Sequence, residues 1–293
     1  MKEFLIKSIF KYFSSISREK ALKRANQIGN LLWKLGYRKD VIFKNLDIAF
    51  PEKDKNWKEN IARLSLINIS RVLIEFPRQP EYVKSGYIKE IFKITKGLDI
   101  AKEYKKDGFI FVSAHIGSWE MCGAGLSAYL DGISSLAYRQ KDEKINKLIT
   151  DIRTNSGINI IFHDQPMKTF INLLQDKKII SFLVDQNALA HRGNFVNFFG
   201  IKASTVNFPA KLAIKYKKPV LFAYDYFDEK EKIYKCEIQE VNYKITGNFE
   251  EDVLNLTQAY TKKVEEAVKK HPDQYLWTHK RWNTRPEGEE KIY

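Results

Sequence analysis

The 293-residue chain holds 44% hydrophobic residues, ordinary for a globular protein and enough to bury a sizeable core in one large domain or two small ones. It carries 50 Lys and Arg against 36 Asp and Glu, a net +14 that implies acidic partners. Its two cysteines, Cys122 and Cys236, are far apart and lack CxxC spacing, which excludes a disulfide framework and points to a reducing compartment.

The positive charge peaks at the start. Residues 1–50 contain 11 Lys and Arg and 4 Asp and Glu, so half of the excess lies in about a sixth of the chain. Large apolar residues accompany it: Phe4, Leu5, Ile6, Ile9, Phe10, Tyr12 and Phe13, then Leu31, Leu32, Trp33 and Leu35. No uncharged apolar run approaches the roughly 18 residues that span a bilayer. Lys7 and Lys11 interrupt the first stretch and argue against a signal peptide. A basic, aromatic-rich start of this kind suits a segment lying on an anionic membrane surface; the alternative is a basic helix packed on the domain. The pattern predicts helices over 1–16 and 18–36, a third from Val41 that stops at Pro51, and a fourth over 55–76 broken by Pro77 and Pro80. Residues 1–80 thus read as a helical region with membrane-surface contact.

From 81 to 293 the pattern alternates and reads as one continuous α/β region. Helices are expected at 96–106, 118–130, 142–155, 166–175, 204–217 and 250–270. Strands are expected at 109–114, 133–138, 158–162, 179–184 and 219–227, with 232–241 as an antiparallel partner and 185–203 as a loop. Such alternation predicts a largely parallel, mixed central sheet flanked by helices, with ligands at the carboxyl ends of its strands. His115, Arg139 and Asp185 each fall just after a predicted strand.

The stretch 108–123 is the most informative. Phe109–Ala114 reads as a buried strand, His115 ends it, Gly117 and Ser118 mark a turn, and Ser118 suits a helix N-cap ahead of Trp119 and Glu120. The expectation is that Glu120 faces His115 across the turn, because a carboxylate on one ring nitrogen fixes the tautomer and frees the other as a base. Arg139, and Arg153 within the helix 142–155, are suited to bidentate contacts with phosphate or carboxylate. Asp185-Gln186 places an acid directly after an apolar strand. His163, His191, His271 and His279 lack metal-ligand spacing and read as surface or structural. Cys122 reads as a small packing residue. No G-x-S-x-G, P-loop or GxGxxG occurs, which weakens acyl-enzyme, ATPase and dinucleotide readings.

These pieces resemble the late acyltransferases of lipid A biosynthesis, the lauroyl and myristoyl transferases, within the wider lysophospholipid acyltransferase superfamily. The resemblance is carried by Lys44-Asn45-Leu46 with Phe50-Pro51-Glu52, by Ala114 to Glu120 as an H-x4-E box, and by Tyr138-Arg139 and Arg153. It continues through Asp185-Gln186 with Gly193 and Phe198-Phe199-Gly200 to the closing Pro272 to Gly288. Asn197 departs from the family's usual proline, and the lysine-interrupted start departs from its hydrophobic anchor. The resemblance implies transfer of a fatty acyl group from acyl carrier protein, or from coenzyme A, to a hydroxyl of a Kdo-linked lipid IVA precursor. His115 would act as general base oriented by Glu120. Arg139, Arg153, Asp185 and Gln186 would bind substrate, the arginines by gripping acceptor phosphates or phosphopantetheine, and Asp185 would support the site's geometry. No metal and no cofactor beyond the thioester is expected. The implied partners are anionic membrane lipid, acyl carrier protein and a phosphorylated glycolipid, at the cytoplasmic face of a bacterial inner membrane, peripheral or N-terminally anchored. The aromatics around 195–199 are one expected wall for the acyl tail. Another lipid acceptor (a glycolipid, aminolipid or phosphatidylinositol mannoside) remains open; a nucleic-acid partner is disfavoured because no binding fold for one is recognisable.

Overall fold

The computed structural model describes residues 2–293. Four helices lead: α1 Lys2–Ser15, α2 Arg18–Lys34, α3 Lys39–Ala49 and α4 Lys55–Glu75, as the apolar spacing predicts. Local chemistry sets their ends. The Ser17 hydroxyl accepts from the Lys20 amide (3.3 Å), the Asp54 carboxylate accepts from the Trp57 amide (2.7 Å), and α3 stops at Phe50 ahead of Pro51. α4 is buried on much of its circumference, at Ile61, Leu66, Asn68, Val72 and Glu75 among others, so it lies between α2 and the rest of the molecule.

After the short helices α5 Gln79–Lys84 and α6 Ile88–Ile91, strands and helices alternate. They are β1 Phe92–Lys96, α7 Leu98–Lys105, β2 Ile110–Ser113, α8 Trp119–Leu130, β3 Ile133–Ala137, α9 Glu143–Asn155, β4 Ile158–Phe162, α10 Met167–Gln175 and β5 Ile180–Leu183. The chain then runs through β6 Gly193–Phe198, β7 Ile201–Val206, α11 Phe208–Lys215, β8 Val220–Asp228, β9 Ile233–Glu240 and α12 Phe249–Lys270. The seven-stranded sheet has the order β1-β9-β8-β2-β5-β3-β4. From β8 to β4 every pairing is parallel; β9 runs antiparallel to β8, and β1 runs parallel to β9. This is the expected mixed, largely parallel sheet. All four residues of β2 are buried because helices cover both faces.

Two expectations are corrected. β1 was not anticipated: Phe92–Lys96 joins the sheet at its edge, where three of its five residues are exposed and leave no clean alternation to read. The expected loop 185–203 contains most of a hairpin, all but the last three residues of its second strand. β6 and β7 pair from Gly193↔Val206 to Phe198↔Ile201, turning through Phe199 (φ +51°) and Gly200 (φ +76°). Two consecutive left-handed residues match the right-handed twist of a hairpin, but Phe-Gly is not a common sequence signal for that turn. Residues 204–206 therefore belong to β7, and the expected helix 204–217 begins only at Phe208.

One continuous core runs from α3 and α4 through one sheet face to α12 and the buried Trp277 and Trp282. The other face packs Phe92, Phe109 and Phe111 against α8.

Candidate active site

β2 ends at Ser113, and the chain beyond it is held from three directions. The His115 carbonyl accepts from the Leu276 amide (3.0 Å), and the Gly117 amide donates to the Gln274 carbonyl (3.0 Å). From α4, the Asn68 amide donates to the carbonyls of Gly117 (2.7 Å) and Gln274 (3.1 Å). Gly117 has φ +60°, and a Cβ there would sit 2.0 Å from the Asp225 carbonyl oxygen. The Ser118 hydroxyl caps α8, as expected, accepting from the Met121 amide, while the Ser118 amide donates to Asp225 Oδ1 (2.7 Å). Burial pushes the Asp225 carboxyl well above the usual range, against the lowering effect of that amide.

The imidazole of His115 lies between two side chains of the next loop. Its Nδ1 is 2.8 Å from Asp185 Oδ1, and its Nε2 is 3.2 Å from the Gln186 amide nitrogen. A carboxylate can only accept, so Nδ1 carries the proton and Nε2 presents a lone pair, to which Gln186 donates. Burial works against the Asp185 charge, but His115, and more weakly Arg281, hold its carboxyl below the ordinary value. The Trp119 ring packs on the imidazole at 4.8 Å between centroids.

This corrects the expected His115/Glu120 pairing. Glu120 reaches α9 instead and forms a two-pronged pair with Arg153, Nε to Oε2 at 3.0 Å and Nη2 to Oε1 at 2.6 Å. Register is the reason. β2 and β5 are parallel neighbours with Ser113 opposite Leu183, so His115 and Asp185, each two residues further on, emerge side by side. Glu120 is already inside α8 and projects from the helix. Burial disfavours the Arg153 charge, yet Glu120 overrides it and raises the guanidinium's pKa. Arg139 sits half-exposed over the Phe162 ring, its Nε 2.7 Å from Asp164 Oδ2. Both predicted arginines are thus already paired with carboxylates.

The early and late motifs meet behind this line. The Asn45 amide donates to the carbonyls of Trp277 and His279, both at 2.7 Å. His279 Nε2 accepts from the Asn187 amide (3.0 Å), and burial pushes its ring down to about 4, so it is a neutral brace for the 185–187 loop. His279 is thus structural, as its spacing suggested, whereas Arg281, which donates to the Ser204 carbonyl (2.8 Å), and Tyr275, packed on Trp277, carried no signal beyond their place in the closing stretch Pro272 to Gly288.

A cavity of about 1040 Å³ opens beside His115. Between α8 and the sheet it forms a trough. Phe111, Ser181, Ser135 and Ile160 stand in one row across β2, β5, β3 and β4, facing Cys122, Gly123 and Leu126. The two serines leave the width, while Phe111, Leu126 and Ile158 make it apolar. The aromatics 195–199 are not its wall: Phe198 is buried on Trp282, and Phe199 packs on Phe50. Cys122 and Cys236 are buried free thiols. Among the described residues, no group of three or more His, Cys, Asp or Glu is placed to hold a metal ion.

Fold and site together define an α/β protein with a carboxylate-held histidine at a strand end, opening on a cavity of lipid size. The chain belongs to the bacterial lipid A biosynthesis acyltransferase family, whose pattern matches residues 4–284. It is 22% identical over 258 residues to a lipid A biosynthesis acyltransferase 2 of Shigella flexneri, covering 85% of this chain and 79% of that one. Similarity extends to two Escherichia coli proteins, a lipid A biosynthesis palmitoleoyltransferase (22%, 87% of this chain and 82% of that one) and a myristoyltransferase (22%, 94% and 84%). No described helix is long and apolar enough to cross a membrane.

Proposed function

We propose that this chain transfers a fatty acyl group from acyl carrier protein to a hydroxyl of a phosphorylated lipid A precursor, with His115 as general base. In the reaction the Gln186 amide gives way to the acceptor hydroxyl at Nε2. Nε2 takes the hydroxyl proton, the oxygen bonds to the thioester carbonyl carbon, the carbon–sulfur bond breaks, and the proton passes to the departing thiolate. Asp185 keeps Nδ1 protonated and stabilises the imidazolium. The trough along Ser181 and Ser135 takes the acyl tail. The observation that carries the reading is the Asp185–His115–Gln186 line at the mouth of a cavity whose inner part is apolar. An acidic carrier protein, an anionic lipid surface and a phosphorylated acceptor all suit the +14 chain. We place the protein peripherally on the cytoplasmic face of the inner membrane. The test is transfer from radiolabelled acyl carrier protein by the wild-type chain and by His115→Ala, which removes a contribution of about 10²–10⁴ in rate. Equal rates in the two overturn the assignment of the base.

A further inference from the structure

The geometry points to a phosphate-ester subsite at the cavity mouth, built by Arg192 and Lys211, that grips one of the two substrates of the proposed acyl transfer. The argument is one of charge balance inside the cavity. Five side chains of fixed charge line it: Glu120, Asp164, Arg153, Arg192 and Lys211. Glu120 is held by Arg153, and Asp164 by Arg139 just outside the lining. Among the described residues, no carboxylate lies within 4.0 Å of Arg192 or Lys211, and neither side chain makes a hydrogen bond to the protein. The cavity that holds His115 is therefore left with two uncompensated cations.

The fold keeps those two together. Arg192 precedes Gly193, which pairs with Val206 at the open end of the hairpin. Asn207 follows Val206, and Lys211 stands one helical turn further on, its amide bonded to the Asn207 carbonyl. Asn207 is itself pinned to Asn194, so the ladder and the helix start form one rigid frame under both cations. The loop from Gln186 to Arg192 joins this frame to the base, and six residues of chain span at most about 21 Å. One substrate can thus touch both places. An anion bound to a fork and a point charge gains charge-assisted hydrogen bonds that a neutral analogue lacks. The paired Arg139 and Arg153 would have to give up a carboxylate to do the same.

The subsite rests on the acyl-transfer reading, and two substrates bring a phosphate ester: the acceptor's sugar phosphate and the donor's phosphopantetheine. Steady-state kinetics on the full chain separate them. One arm compares a phosphorylated lipid A precursor with its dephosphorylated form, and the other an acyl-4′-phosphopantetheine with the acyl-pantetheine. For Arg192→Ala with Lys211→Ala, the expected result is a KM raised tenfold or more on the phosphorylated member of one arm, with kcat less affected. Wild type and variant converge on the phosphate-free member. Arg192→Lys restores part of the loss, and Lys230→Ala with Lys244→Ala, an equal loss of charge outside the cavity, has no such effect. A KM within twofold of wild type in both arms, or an equal rise with and without phosphate, overturns the subsite. A binding arm needs no turnover: saturation-transfer NMR with glucosamine 1-phosphate and with 4′-phosphopantetheine. If wild type transfers no acyl group, the acyl-transfer reading fails on that result. Equal signals from wild type and the double variant with both probes then overturn the subsite separately.

Discussion

At the scale of single residues, the two carboxylates near His115 have different neighbours and so fail differently. Asp185→Asn keeps the shape but no longer holds Nδ1–H against a charge, so kcat falls by about 10²–10⁴ with the fold intact. A pH–rate profile is the check, and an unchanged acid limb together with near-normal kcat would remove Asp185 from the mechanism. Glu120→Gln leaves the partly buried Arg153 without its counter-charge and costs on the order of 2 kcal/mol, read as a lower urea midpoint. His279 sets a pH dependence of stability. Its pKa falls from 6.5 to about 4 on folding, so below pH 6.5 the unfolded chain takes up the proton first. Stability from this group is full above pH 6.5 and is lost progressively down to pH 4, by at most about 3 kcal/mol. His279→Gln keeps an acceptor for the Asn187 amide and should flatten that limb in urea titrations at pH 7 and pH 5; an undiminished acid loss would assign it to other groups. His115 was legible because the strand–turn–cap signal around it is local. Its partner was not, since Asp185 is 70 residues away and only strand register brings it there.

Elements bring in constraints that a residue list lacks. The junction of β2 and α8 depends on Gly117 for both its φ and its closeness to Asp225. Gly36 has a similar φ of +72° with nothing within 4 Å of a built Cβ. Gly36→Ala should therefore cost only the left-handed strain, roughly 1 kcal/mol. Gly117→Ala adds a backbone collision, so it should lose several times that in thermal unfolding, or fail to fold; equal losses in the two would show that the close approach is unimportant. The trough gives a second test. Ser135→Leu fills its middle and shortens the tail it holds. A two-methylene change is worth about 1.6 kcal/mol, or roughly 15-fold in preference. Competition between acyl carrier proteins of different chain length should shift toward the shorter donor, and an unchanged profile would place the tail elsewhere. Neither the trough nor the β6–β7 hairpin was readable beforehand. The first is built by one small residue from each of two strands, and the second hides behind an uncommon turn pair.

Across the whole molecule, one group of exposed apolar residues lies near the cavity. α1 exposes Phe4, Leu5, Ile9 and Tyr12, and Glu3 lies 3.5 Å from Lys144 in α9, which brings the start of α1 to the end of the molecule where the cavity opens. Tyr138, Met167 and Leu189 stand exposed around that opening. A membrane lying against this side would meet basic residues, an apolar helix face and the substrate entrance together. Phe4→Asp with Leu5→Asp should reduce co-sedimentation with anionic vesicles tenfold or more, and added salt should weaken wild-type binding; retention equal to wild type would move the contact away from α1. The helical start, the parallel α/β sheet, the strand end bearing His115 and the family are all consequences of local periodicity, capping and motif order, and the sequence by itself determined them. Which carboxylate holds the imidazole, which arginines are already paired, where an acyl tail has room and which two cations stay free were decided only by tertiary structure. Each of those depends on strand register and on helices crossing the sheet, which join residues that no spacing along the chain relates.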